Sequence, residues 1–326
     1  MKKLVTAVLL AAMLLSLAAC ATPQTTDGGS DGGTITVGFA QCKADESDWR
    51  KANTISMQEA LSAENGYNMI LADANNDAAK QVADVQGFID QEVDYIVIAA
   101  VNMDGWDTVL KNAQDAGIPV ILVDRTVNAS EDLYTCWVGS GFKEEGVKAT
   151  DWLASHFGDA EVNIVNLQGQ LGSSAQVGRS EALVEAVEAN DNWTLLEQQT
   201  ADWSTDTAKE IMTTWIQQHD NINCVYAEND NMADGAIQAL QEAGIEVGGD
   251  NGVAIISFDA NRAYLEMTLA GLINCNVECN PLHGPKVAEI IQMLENGEQP
   301  AKSEVVEESA FFYNTITQEI IDARAY

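Results

Sequence analysis

Arginine is scarce in this chain. Lys and Arg together number 16 in 326 residues, against 50 Asp and Glu, and only five of the 16 are arginines. A formal net charge of −34 leaves no basic stripe to displace counterions from phosphate, which excludes nucleic acid as a partner. The same charge disfavours adhesion to anionic lipid, and most of the acids are expected on the solvated surface. Histidine is scarcer still. His156, His219 and His283 are scattered, no CxxC or HxxxH pattern occurs, and neither a metal site nor a cofactor is expected. Beyond the first twenty residues no segment approaches the ~18–20 apolar residues of a membrane-spanning helix. After Cys20 the cysteines are Cys42, Cys136, Cys224, Cys275 and Cys279, an odd set that leaves at least one thiol over. Cys275 and Cys279 stand four apart in a strand-like stretch, out of bridging range. The cysteines are expected to be small buried hydrophobes.

What is present begins with an export signal over residues 1–19. Lys2 and Lys3 form its charged start, Leu4 to Leu17 its apolar stretch, and Leu17-Ala-Ala-Cys20 its cleavage site. Small residues before a cysteine resemble the bacterial lipobox. Cys20 is then the lipidated mature N-terminus, anchoring the protein outside the cytoplasm, at the cell surface or in a periplasm, without spanning the membrane. Residues 20–33 carry no large apolar side chain and have the composition of a flexible tether.

From Thr34 onward short apolar runs alternate with amphipathic helical stretches. The runs include Ile35–Phe39, Tyr95–Val101, Val120–Val123, Val162–Leu167, Cys224–Ala227 and Val253–Phe258. Continuous runs of this kind suit parallel strands buried on both faces. Ala233, Ala236, Ile237 and Leu240 share a helix face that Gly244 ends and Asp230 is placed to cap. Leu110, Ala113 and Ala116 repeat the design before Gly117. Repeated βα units predict a doubly wound α/β fold, and ~290 residues suit two lobes better than one. The first division falls near Gly139–Gly141, and a last strand is expected over Glu304–Phe311.

In open α/β sheets ligands bind beyond the carboxyl ends of the strands. Those ends here lead to Glu46, Trp49 and Arg50; to Asp124-Arg125; to Ser174 and Arg179; to Asn229; and to Asp259. Sugar hydroxyls both donate and accept, so Arg, Asp and Asn can each satisfy two of them, while Trp49 and Trp203 offer faces for stacking. Asp124, Asp259 and Glu278 balance Arg50, Arg125 and Arg179, which favours a neutral polyol over a phosphate or sugar acid. Individually the residues have plainer readings: Asp124 and Asp259 as helix caps, Asn229 as a turn, Arg50 and Arg179 on solvated helix faces. Trp106, Trp137, Trp152, Trp193 and Trp215 read as core or rim.

The motifs Thr36–Gln41 (TVGFAQ), Asp124-Arg125, Gln168-Gly-x-x-Gly-x-Ser174 with Arg179, Ala201-Asp-Trp203, Glu228-Asn-Asp-x-Met-Ala-x-Gly-Ala236 and Phe258-Asp259 occur in this order. Together they resemble the type I solute-binding proteins of bacterial ABC sugar importers, the ribose-binding-protein-like family. Glu46-x-x-Trp-Arg50, Gly105-Trp106, Ala201–Thr205 and Val277-Glu278 before Asn280-Pro281 resemble its galactofuranose- and fructose-binding branch. The resemblance implies two doubly wound parallel-sheet lobes joined by a three-stranded hinge, with residues 34–139 plus 280–308 in one and 140–279 plus 309–326 in the other. It implies a monomer that binds a monosaccharide between the lobes and delivers it to an ABC permease with a cytoplasmic ATPase. Trp49, Arg50, Asp124 and Arg125 come from the first lobe; Arg179, Trp203, Asn229, Asp259 and Glu278 come from the second. Ribose binders carry a Phe pair where this chain has Trp49-Arg50, and a Gln near Glu278, so a hexose in furanose form is expected instead of ribopyranose.

A sensory module presenting the sugar to a receptor or kinase is the rival function. A glycosidase built on Asp124 and Asp259 is disfavoured, because Arg125 keeps its neighbouring acid ionised. Replacing Arg50 with Ala is expected to weaken sugar binding without unfolding the protein.

Overall fold

Two six-stranded sheets repeat one strand order. The computed structural model describes residues 33–326; the export signal, Cys20 and the tether up to residue 32 lie outside the described residues. The first sheet contains β1 (Ile35–Gln41), β2 (Tyr67–Asp73), β3 (Tyr95–Ile98), β4 (Val120–Val123) and β5 (Cys136–Gly139). The second contains β6 (Val162–Gln168), β7 (Trp193–Thr200), β8 (Cys224–Ala227), β9 (Ala254–Asp259) and β10 (Cys275–Glu278). The sixth places go to β11 (Ser303–Val305) and β12 (Ala310–Phe312). The orders are β2-β1-β3-β4-β5-β11 and β7-β6-β8-β9-β10-β12, parallel throughout except where β12 runs antiparallel to β10.

The central strands form because both their faces are covered. No residue of β4 or β8 is more than 2 % exposed. Each buried Val, Ile or Leu there contributes ~1.5–3 kcal/mol. In the first sheet the helices α1 (Asp48–Ala60), α2 (Ala78–Asp90) and α3 (Asp107–Ala116) follow β1, β2 and β3. In the second, α4 (Phe142–Phe157) precedes β6, and α5 (Ser174–Ala189), α6 (Thr205–Gln218), α7 (Asp230–Glu242) and α8 (Arg262–Leu269) alternate with the strands. The chain then returns to the first sheet as α9 (Gly284–Glu295), which packs on α1, and ends in α10 (Gln318–Asp322). Gly284 permits that packing: a Cβ there would stand 2.1 Å from the Ser56 carbonyl oxygen.

The chain passes between the sheets at residues 140–141, 279–283 and 306–309. The single last strand expected over Glu304–Phe311 is therefore two, one in each sheet, with the third crossing between them. The five cysteines among the described residues are all buried and free. Among the described residues no helix is long and apolar enough to cross a membrane.

The cap of α7 also differs from expectation. Asn229, not Asp230, is its N-cap, accepting from the Met232 N–H at 2.9 Å. Asp230 is fully buried and accepts from Ser257 Oγ (2.6 Å), the Asn261 N–H (2.9 Å) and Asn276 Nδ2 (2.8 Å). It ties α7 to the carboxyl ends of β9 and β10, where the site is built. Replacing Asp230 with Ala strands three buried donors and is predicted to cost at least ~3 kcal/mol, seen as a lowered denaturation midpoint. An unchanged midpoint would show that the network is dispensable.

Candidate ligand-binding site

The carboxyl ends of the two sheets face one another across a small cavity. Nine of the eleven expected ligand-binding residues line it: Glu46, Trp49, Arg50, Asp124 and Arg125 from the first sheet's side, and Arg179, Trp203, Asn229 and Asp259 from the second's.

On the first side, Ser47 caps α1 by accepting from the Arg50 N–H at 3.1 Å. The cap starts the helix so that Trp49 and Arg50 stand in its first turn, at the cavity. The Arg50 guanidinium donates to Asp124 Oδ2 at 2.5 Å and to Glu46 Oε1 at 3.3 Å, and lies 4.6 Å from the Trp49 ring centre. Arg125 donates to the same Glu46 oxygen at 2.6 Å. Burial alone would raise the Glu46 and Asp124 carboxyls, but Arg125 and Arg50 outweigh it and hold both below the usual carboxylate range. Both acids are therefore ionised and act as acceptors.

On the second side, Arg179 projects from α5. It donates through Nε to Glu145 Oε2 at 2.8 Å and through Nη1 to the Glu228 carbonyl at 2.5 Å. Its Nη2 stands 3.6 Å from Asp259, and its guanidinium lies 4.8 Å from the Phe258 ring centre. Burial pushes the Asp259 carboxyl up against the pull of Arg179. Trp203 lies directly on Gly169, where a Cβ would come within 1.9 Å of the indole. Asp124 (φ 60°), Trp203 (φ 64°) and Asp259 (φ 101°) all adopt left-handed backbone. Strain of ~1–3 kcal/mol at each is of the kind that clusters at ligand sites.

Two buried donors in the cavity wall, Arg125 Nε and Trp203 Nε1, have no hydrogen-bond partner among the described residues. An orphaned buried donor costs ~1–3 kcal/mol, so both favour a ligand rich in acceptors. The three guanidiniums are offset by ionised Glu46 and Asp124 and by Glu145 behind Arg179, while burial favours the neutral form of Asp259.

The halves also touch directly. Ser174 does not line the cavity; its Oγ accepts from the Thr126 N–H at 2.9 Å, joining one half to the other. The Met103 N–H donates to the Gly172 carbonyl at 3.0 Å, and Trp49 Nε1 to the Cys279 carbonyl at 2.7 Å. Asp48 accepts from Asn231 Nδ2 (3.1 Å) and the Tyr264 hydroxyl (3.0 Å) across the cleft mouth. The cleft is closed.

Glu278 is misplaced by the sequence reading. Strand alternation turns it away from the cavity, where Arg324 Nη1 (2.7 Å), the Tyr326 hydroxyl (3.0 Å) and the Ser309 N–H (3.0 Å) hold it. Cys279, one residue on, lines the cavity in its place, and Glu46 takes over the charge balance assigned to it. Phe142 and Ala175 line the wall as well. The strand-end rule applied to β5 finds Phe142; nothing in the sequence marks Glu145 behind Arg179.

Arg50 is 2 % exposed, and Arg179 is equally buried, so neither belongs to a solvated helix face. Replacing Arg50 with Ala leaves Asp124 and Glu46 buried against a single guanidinium, which costs ~3–5 kcal/mol. The expectation of weaker binding without loss of stability is thereby revised. Arg50→Ala is predicted to lower both the denaturation midpoint and the ligand affinity, the latter by ~10–100-fold for a lost charge-assisted bond. An unaltered midpoint would contradict the buried pairing.

Comparison with known proteins agrees with this geometry. A periplasmic binding protein domain model matches residues 37–298. The galactofuranose-binding protein YtfQ of Escherichia coli is 33% identical over 291 residues, covering 88% of this chain and 90% of its own length. The fructose import binding protein FruE of Bifidobacterium longum is 31% identical over 317 residues, covering 95% and 94%. A solved structure from Mycobacterium smegmatis in complex with β-D-fucofuranose superposes with a TM-score of 0.81 at 36% identity, covering 86% of this chain and 92% of that one. Two wrapped sheets of like topology, a closed cleft between them and these matches together place the chain in the periplasmic binding protein family, type I, among its sugar-binding members.

Proposed function

We propose that the protein captures a neutral monosaccharide, a hexose in furanose form such as galactofuranose or fructose, and delivers it to an ABC permease powered by a cytoplasmic ATPase. The observation that carries this reading is the composition of the cavity wall: three guanidiniums, each offset by a buried carboxylate in or just behind the wall, with two tryptophans and two unpartnered donors. A balanced buried set accepts an uncharged polyol without stranding a charge. Trp49 and Trp203 supply apolar faces for ring C–H groups, and ionised Glu46 and Asp124 accept from hydroxyls. The relatives that bind galactofuranose and fucofuranose support the furanose form.

Lobe boundaries at 34–139 plus 280–308 and 140–279 plus 309–326 fit the sheet membership of β11 and β12. A ligand touching both lobes binds the closed form better than the open one, and that difference drives closure. The permease then reads the closed surface. Lipidation of Cys20 holds the monomer at the membrane, and the role is binding without catalysis.

Titration calorimetry against monosaccharides, amino acids and nucleosides tests the reading. Saturable binding of a hexose, with ribose weaker, is predicted. Binding of an amino acid or nucleoside and of no sugar would overturn it.

A further inference from the structure

One carboxyl touches all three crossings between the lobes. Glu308 lies in the third, and its Oε1 accepts from the Ser140 hydroxyl of the first (2.6 Å) and the Asn280 N–H of the second (2.6 Å). Beside it stands Glu145, in the first turn of α4 immediately after the first crossing and 1 % exposed. Glu145 Oε2 accepts from the cavity arginine, Arg179, whereas its Oε1 has no partner among the described residues. Ligand-capable atoms of Glu145, Cys279 and Glu308 lie within 4.8 Å of one another.

We propose that Glu145 and Glu308 share one proton in the closed protein, and that closing the cleft on its ligand takes that proton up. Neither group lines the cavity as a ligand contact, so both are positioning residues acting through Arg179 and the crossings. This inference rests on the binding function proposed above only in needing a ligand that closes the cleft.

Two buried carboxylates this close do not both stay ionised. Burial, with Glu145 adjacent, pushes the Glu308 carboxyl up to about 8. Burial raises Glu145 as well, against the pull of Arg179. The remaining neighbours do not supply the missing charge. Burial pushes the Cys279 thiol well above its ordinary value, so it stays neutral. Lys148 Nζ goes to the main-chain oxygen of Glu308 at 2.7 Å, not to its carboxyl. Burial pushes Asp259, beyond Arg179, toward its neutral form, so it neither supplies nor takes up the balancing charge. With Arg179 already contributing the one positive charge, a shared proton completes the balance: a net −1 for the pair against +1. Losing it leaves −2 behind Arg179 and draws the guanidinium away from the cavity.

The sign follows from linkage. Separating the lobes solvates the pair and returns its carboxyls toward ~4.3. The closed-state value is the higher one, so proton-assisted closure is fully present below the open-state value. It is lost as pH rises to the closed-state value, by up to tenfold in affinity per pH unit for one proton.

The test measures affinity of the full chain for its best monosaccharide from pH 6 to 9, in two buffers of different ionisation enthalpy. Wild type is expected to bind at least ~10-fold more weakly at pH 8 than at pH 6, taking up as much as one proton per ligand. Glu308→Gln keeps the acceptor for Ser140 and Asn280 and mimics the protonated acid, so its affinity is expected to be flat with pH. Glu145→Gln is expected to lose the slope too, but to bind more weakly throughout because Arg179 loses its partner. Glu228 and Asp230, both buried and pushed up to about 7, are intact in these variants, so any slope they cause would persist. A second readout is the denaturation midpoint with the sugar at saturation: its fall from pH 6 to pH 8 is expected to be smaller in Glu308→Gln than in wild type, Glu228 and Asp230 contributing equally to both. Binding of an amino acid or nucleoside in place of a sugar would sink the sugar reading while leaving both readouts in place. A wild-type slope retained in Glu308→Gln, or a uniform loss at every pH, would overturn the shared proton.

Discussion

The cleft depends on burying guanidinium and carboxylate groups against one another. Arg50, Arg125 and Arg179 are each at most 3 % exposed, as are Glu145 and the side chain of Glu46. A charge taken out of water is tolerated only where partners and hydrogen bonds replace the solvent. Every arginine here meets a carboxylate, and most of those acids come from a different element. The pairing therefore fixes how β1, β4, α1, α4, α5 and β9 sit, and it leaves a wall that is charged in detail and neutral in sum. Such a wall discriminates: hydroxyls gain charge-assisted bonds, while an added formal charge has no counterpart.

The two halves repeat the device. Asp124 ends β4 and Asp259 ends β9, which hold equivalent places in their sheets, and both adopt left-handed backbone. Each faces an arginine of its own half, Arg50 at 2.5 Å and Arg179 at 3.6 Å. Arg125 links the halves by lying 5.5 Å from the Trp203 ring centre. The crossings at 140–141, 279–283 and 306–309 join these half-sites, and Glu308 binds the crossings to one another.

Much of this was legible in the sequence, for a physical reason. Strands buried on both faces carry uninterrupted apolar runs, so Val120–Val123 and Cys224–Ala227 were bounded to the residue. The edge strands β2 and β7 are half exposed and show neither a run nor a clean alternation. The strand-end rule, joined to family motifs, found most of the cavity wall. Glu278, implied by the family resemblance, falls one residue short, because the alternation of β10 leaves Cys279 at the cavity and Glu278 on the C-terminal residues. The crossing that splits β11 from β12 depends on long-range packing and leaves no local pattern. Glu145 was illegible as well, since an acid in the first turn of a helix is usual on any solvated surface. The burial of Arg50 belongs to the same class: sequence position gave Arg50 a role but not its environment.

The most direct test of a neutral buried wall compares one hexose with its own 6-phosphate and uronic acid, titrated under identical conditions. The account predicts saturable binding of the neutral sugar and at least ~100-fold weaker binding of both charged forms, because each brings an unpaired charge into a balanced cavity. A phosphate or uronate bound as tightly as the parent sugar would contradict it.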